Sequence, residues 1–73
     1  MVLIDGKYGY IDKTGKIAIQ PQFTEAGRFS EGLAYVNVNG KYGYIDKTGK
    51  IVIQAQFDDA EAFSEGLALV KEF

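Results

Sequence analysis

Composition limits the chemistry available to this 73-residue chain. Histidine, cysteine and tryptophan are absent, which removes the usual proton shuttle, the thiolate nucleophile and most transition-metal ligands. Serine occurs only at Ser30 and Ser64, and neither has a histidine base that would make it a hydrolytic nucleophile. We therefore expect no catalytic residue, no metal site and no cofactor, and we expect that the protein is not an enzyme.

Carboxylates are the remaining candidates for acid–base or cation chemistry. Asp58, Asp59 and Glu61 lie close together in the chain, and such a cluster can hold a hard cation or act as an acid–base pair. Their spacing matches no calcium-binding loop, so a solvated loop surface is the favoured interpretation. Asp12 and Asp46 each open an Asp-Lys-Thr-Gly segment, where a role in a backbone turn explains the residue type.

Tyrosines offer the most interesting binding hypothesis. They recur in two closely spaced pairs at Tyr8, Tyr10, Tyr42 and Tyr44. Exposed rings at this spacing can stack on sugars or surround a quaternary ammonium group, whereas buried rings would fill a small core and form contacts between repeats. We favour the second interpretation. The lysines beside these rings could contact nucleic acid, but a net charge of −2 argues against nucleic-acid binding.

A fixed-period repeat determines how all these residues are positioned. Residues 6–39 are repeated as residues 40–73, an offset of 40 − 6 = 34, and 24 of the 34 aligned positions are identical. Each copy must be one structural unit with a neighbour to pack against. We interpret the chain as a single domain in which residues 1–5 are the partial strand of a preceding repeat. The near-identity indicates either recent duplication or a designed or consensus sequence.

Apolar residues in each copy alternate with period two, which predicts β-strands. Turn chemistry separates the strands, and the turn-determining residues are Gly6, Gly15, Asn39, Gly40 and Gly49. The predicted fold is all-β, in which each 34-residue repeat forms an antiparallel three-stranded β-meander. The predicted strands are 7–12, 16–20, 33–38, 41–46, 50–54 and 67–71.

The connections between meanders are less regular. We expect Pro21 to lie where its strand ends, because proline lacks the N–H needed for a strand ladder. Residues 23–32 and 57–66 are too short and too rich in small residues for a secure helix. We expect each of them to be a short loop or a single helical turn, with Ser30 and Ser64 available as helix caps.

At Gly-Lys-Tyr-Gly-Tyr-Ile-Asp-Lys-Thr-Gly-Lys and Phe-Ser-Glu-Gly-Leu-Ala the chain resembles the WG (KWG) repeats of bacteria, and the resemblance covers essentially both copies. Members typically carry tryptophan where this chain has Tyr8 and Tyr42. The resemblance implies an all-β repeat module, usually present in many copies, with a binding or scaffolding role. Tyrosine keeps a large flat ring but adds a hydroxyl group that needs a partner.

Two repeats are few for a stacked array, which generally needs three or more. Both ends of the chain are apolar, at Met1–Ile4 and at Leu69, Val70 and Phe73. We therefore expect a structural or interaction module that forms a homo-oligomer and presents a surface to a protein partner. The alternatives are a monomer that closes as a small sandwich and a module that binds carbohydrate or cell wall through exposed tyrosines.

The location of the protein in the cell is not indicated by its sequence. The chain has no apolar run of the length found in a signal peptide or a transmembrane segment, so we expect no membrane insertion. Excision from a longer protein, including a secreted one, remains compatible with the sequence.

Overall fold

The computed structural model describes residues 1–72 and shows an all-β protein in which none of these residues is helical. The confirmed fold class follows from the period-two pattern, since side chains on alternate faces allow each strand to bury one face. The strands are β1 (Val2–Ile4), β2 (Lys7–Ile11), β3 (Ile17–Phe23), β4 (Ala34–Val38), β5 (Lys41–Ile45), β6 (Ile51–Phe57), β7 (Asp59–Ala60) and β8 (Val70–Lys71).

The strands form two three-stranded antiparallel meanders, β1-β2-β3 and β4-β5-β6, and a short pair, β7-β8. The tandem meander architecture predicted from the repeat is therefore confirmed. Each meander crosses the boundary between sequence repeats, because β4 lies at the end of the first copy and pairs with β5 of the second. The predicted final strand 67–71 is shorter than expected, since only Val70 and Lys71 form a strand, which pairs with β7.

Two-residue turns join the first two strands of each meander. Asn39 and Gly40 have φ values of 53° and 87°, and Asp5 and Gly6 have 52° and 77°. A type I′ hairpin turn needs positive φ at both central positions, and its twist matches that of the flanking strands. Asparagine, aspartate and glycine tolerate this region better than other residues.

The Asp-Lys-Thr-Gly segments form the second turn of each meander. The Asp12 carboxylate accepts hydrogen bonds from the Thr14 backbone N–H (2.9 Å), the Thr14 hydroxyl (2.6 Å) and the Lys16 backbone N–H (3.1 Å). These bonds, with the Thr14 hydroxyl bond first, hold the pKa of Asp12 below its usual value. Asp46 makes the same bonds with Thr48 and Lys50. A local hydrogen-bond network therefore fixes both turns.

The predicted strand end at Pro21 is wrong. Strand β3 continues through Pro21 to Phe23, and its pairing with β2 has register shifts around Tyr10, which are β-bulges or irregularities. A strand can include proline at a bulge, because the ladder hydrogen bond is already interrupted there. Strand β3 therefore ends at Phe23, three residues beyond the predicted end at residue 20.

Of the two expectations for residues 23–32 and 57–66, a short loop or a single helical turn, the helical turn does not form. Ser30 and Leu33 exchange two backbone hydrogen bonds of 2.8 and 3.1 Å, and the intervening Glu31 and Gly32 have φ values of 55° and 81°. This is the geometry of a tight hairpin turn, which Ser64–Leu67 repeats. The serines therefore flank a turn and do not cap a helix.

Glycine has a different role inside strands β2 and β5. A Cβ atom on Gly43 would lie 2.6 Å from the Ile53 carbonyl oxygen and 2.8 Å from the Ala55 nitrogen, and Gly9 is equally close to Ile19 and Pro21. Because these neighbours are backbone atoms, no side-chain rotation can relieve the contact. Glycine at this position lets the bulged partner strand approach.

We predict that Gly43→Ala lowers the free energy of unfolding by about 1–3 kcal/mol, the usual cost of forcing atoms into a packed region. Gly40→Asn is the matched control, because asparagine tolerates positive φ and a Cβ on Gly40 meets nothing within 4 Å. Urea denaturation followed by circular dichroism measures both variants. Equal losses in the two variants would contradict the close approach at Gly43.

Candidate interaction faces

The core lies between the two meanders. Tyr10, Ile19 and Phe23 of the first sheet form one buried cluster with Ala34, Val36 and Ile45 of the second. Cross-strand partners lie on the same face of an antiparallel sheet, so the register separates the two faces of each meander. On the second sheet, the face that we call the N-face carries Ala34, Val36 and Ile45, and the opposite C-face carries Tyr44, Ile53 and Phe57. With the offset of 34, Tyr10, Ile19 and Phe23 are the C-face residues of the first sheet. The core is thus the C-face of the first sheet packed on the N-face of the second.

Tyr10 and Tyr44, two of the predicted ligand or inter-repeat residues, are buried. The Tyr10 hydroxyl donates to the Gly27 carbonyl oxygen (2.6 Å), and the Tyr44 hydroxyl donates to the Glu61 carbonyl oxygen (2.8 Å). Each ring also packs edge-on against a phenylalanine, Phe29 or Phe63, with centroids 4.9 Å apart. These residues therefore attach the connecting segments to the meanders.

Tyr8 and Tyr42, the other two tyrosines of this set, are half-buried. Tyr42 packs edge-on against Tyr35, with centroids 5.9 Å apart. Its hydroxyl donates to the Glu25 carboxylate, and this hydrogen bond raises the pKa of Tyr42 above its ordinary value. The hydroxyl at this position therefore has a partner within the chain.

Polar contacts also join the two repeats. The Ser30 hydroxyl donates to the Phe63 carbonyl oxygen (2.7 Å), and the Glu31 carboxylate accepts from the Gly66 backbone N–H (2.8 Å). These bonds run from the hairpin turn of the first repeat to that of the second. Sequence reasoning missed them, because they depend on how the two turns stack.

The acidic cluster is divided among local contacts. Asp58 forms an ion pair with Lys41 at 2.6 Å, and the Asp59 carboxylate accepts from the Ala60 backbone N–H at 2.9 Å. Within residues 1–72, no group of three or more carboxylates is placed to hold a metal ion. Asp59 and Glu61 line a shallow depression of about 240 Å³ together with Ala60 and residues 69–71. Asp59 lies in strand β7, so the expected loop surface is in part a short strand, and the contacts of Asp58 and Asp59 are local structural ones.

The outer faces of the protein expose residues that are buried at the inner interface. Ile45 is 0% exposed, but its equivalent Ile11 on the N-face of the first sheet is 42% exposed. Val36 is 1% exposed, but its equivalent Val70 is 37% exposed. Leu67 and Leu69 are still more open, at 76% and 70%. Ile11 and Val70 are thus exposed equivalents of residues that the inner interface buries on the N-face of the second sheet.

A model of the WG-containing repeat matches the chain twice, over residues 8–42 and 42–72. The chain therefore belongs to the WG-containing repeat family and is a repeat-containing module. No curated protein and no solved structure matches it. No helix in residues 1–72 has the length and apolar character needed to cross a membrane.

Gly9 and Gly43 follow the tyrosines that stand in the place of the family's tryptophan. Sequence reasoning assigned special geometry to the turn glycines but missed these two. Their position inside a strand was the available signal, because glycine there often marks a bulge or a close backbone approach.

We predict that stability falls as pH rises from about 10 to about 12, because burial raises the pKa of Tyr10 to about 12. Below pH 10 the phenol is protonated in both the folded and unfolded states. Between the two pKa values the unfolded state releases the proton more readily, so ionisation favours unfolding. Thermal melts across this range, compared with Tyr10→Phe, measure the effect. The same decline in Tyr10→Phe would contradict the assignment to Tyr10.

Proposed function

We propose that this protein is a non-enzymatic structural module that self-associates through the outer faces of its repeats. The supporting observation is the pair of exposed equivalents, Ile11 for Ile45 and Val70 for Val36. Because the inner interface buries these side-chain types almost completely, a second copy can cover the outer ones in the same way. The repeats then act as building units of an assembly.

The size of the apolar contribution determines what kind of association to expect. Complete burial of an aliphatic side chain contributes about 1.5–3 kcal/mol, and Ile11 and Val70 are already more than half buried. Association costs an estimated 4–15 kcal/mol in lost freedom and ordering. No single residue offsets this cost, so assembly needs the whole face and should depend on protein concentration.

Binding of carbohydrate through exposed tyrosines has less support. Tyr10 and Tyr44 have buried rings whose hydroxyls bond to the backbone, so neither offers a flat surface for a sugar. Tyr42 is half-buried and bonded to Glu25. The contacts of these rings support a packing role for three of the four tyrosines.

We predict that size exclusion with light scattering gives a molar mass above the 8.0 kDa of one chain and that this mass rises with protein concentration. Ile11→Lys should remove this rise, because a charge cannot enter the apolar contact without a partner. Ile51→Lys is the matched control: its 40% exposure is close to the 42% of Ile11, but as the cross-strand partner of Ile45 it lies on the inner N-face of the second sheet and not on an outer face. A concentration-independent monomer, or equal effects of the two variants, would overturn the proposal.

A further inference from the structure

Strand β1 occupies the place on β2 that β4 occupies on β5, but it fills only part of it. Val2, Leu3 and Ile4 pair with β2 in the register that Val36, Asn37 and Val38 adopt on β5. Strand β4 makes two further pairs, Ala34 with Ile45 and Tyr35 with Tyr44. Strand β1 has no counterpart of these pairs, so the end of β2 at Tyr10 and Ile11 has no β1 residue opposite it.

The segment 68–72 is the second-repeat equivalent of β4. With the offset of 34, Ala68 corresponds to Ala34 and Val70 corresponds to Val36. We propose that residues 68–72 of one copy displace β1 and pair with β2 of the next copy. This inference rests on the proposed self-association and specifies its geometry. It places Ala68 opposite Ile11, restoring the pair that buries Ile45.

The residue types of the segment fit that place. Val70 would lie opposite Gly9, as Val36 lies opposite Gly43 in a contact that leaves Val36 1% exposed. Glu72 would lie opposite Lys7, where β1 instead presents Ile4 with 44% exposure. Opposite charges directly across an antiparallel pair are favourable. The incoming segment thus makes five pairs where β1 makes three.

The hairpin turns supply a second set of contacts in the same register. Ser30 and Glu31 bond to Phe63 and Gly66 of the following repeat. Their equivalents Ser64 and Glu65 are exposed and would meet Phe29 and Gly32 of the next copy. The contact joins two different surfaces, so copies associate head to tail and not around a two-fold axis.

Disulfide trapping tests the pairing, because the chain has no cysteine of its own. Chains carrying Ala68→Cys are mixed with chains carrying Ile11→Cys under oxidised glutathione. Directly opposed residues of an antiparallel pair have Cα atoms about 4.5–5.5 Å apart, within reach of a disulfide. We expect a linked heterodimer well above the amount formed by each variant alone.

The control mixture combines Ala68→Cys with Ile17→Cys, because Ile17 and Ile11 are almost equally exposed (44% and 42%). Equal linkage in the two mixtures, while wild-type protein still self-associates in light scattering, would overturn strand displacement and leave the proposed function standing. If the wild-type protein is a monomer at every concentration, both fail.

A second experiment weakens β1 without touching the new contact. Gly6 joins β1 to β2 at a φ of 77°, and a Cβ there meets nothing within 4 Å, so Gly6→Val strains only the hairpin turn. Less stable β1 pairing lowers the cost of displacement, and we expect association at severalfold lower concentration. Gly15→Val imposes similar strain at a φ of 90° away from β1. If Gly6→Val associates more weakly than the wild-type protein, and to the same extent as Gly15→Val, the proposal is overturned.

Discussion

The packing of one sheet face on the next is the interaction on which this structure depends. A three-stranded meander is a single layer, and a single layer must bury its apolar face against another element. Here Ile45 from the second meander fits among Tyr10, Ile19 and Phe23 of the first, and it is 0% exposed. The core of this protein is therefore an interface between neighbouring meanders, and neither meander buries this face without the other.

Local features keep the sheets in the shape that this packing needs. The bulge beside Gly9 and Gly43 brings the third strand close to the second. A buried tyrosine hydroxyl then anchors the connecting segment, as Tyr44 does at the Glu61 carbonyl oxygen. Because burial without a partner would cost free energy, a hydroxyl at this position fixes where the connection must pass. The hairpin turns, the bulge and the tyrosine hydroxyl bond together give both meanders the same shape.

The meanders and their turns could be predicted from sequence because their determinants are local. Period-two spacing and dipeptides such as Asn39-Gly40 act over a few residues. The predictions that proved wrong concern features determined by contacts between residues far apart in the sequence. Pro21 remains in its strand because of a bulge, and Ser30 flanks a hairpin that stacks on the next repeat. Likewise Tyr42 and Tyr44 look equivalent in sequence, yet only Tyr44 is fully buried, and the pattern contains nothing that ranks them.

Sheet boundaries and sequence repeats are out of step in this fold, since β4 comes from one copy and pairs with β5 of the next. Each sequence repeat therefore contributes strands to two consecutive sheets, so the covalent chain connects every sheet to the next. A duplication of 34 residues, starting at any position in the period, restores both the interrupted sheet and the interrupted interface. An array built this way can lengthen or shorten by whole periods without inventing a new contact, whichever residue the break falls on.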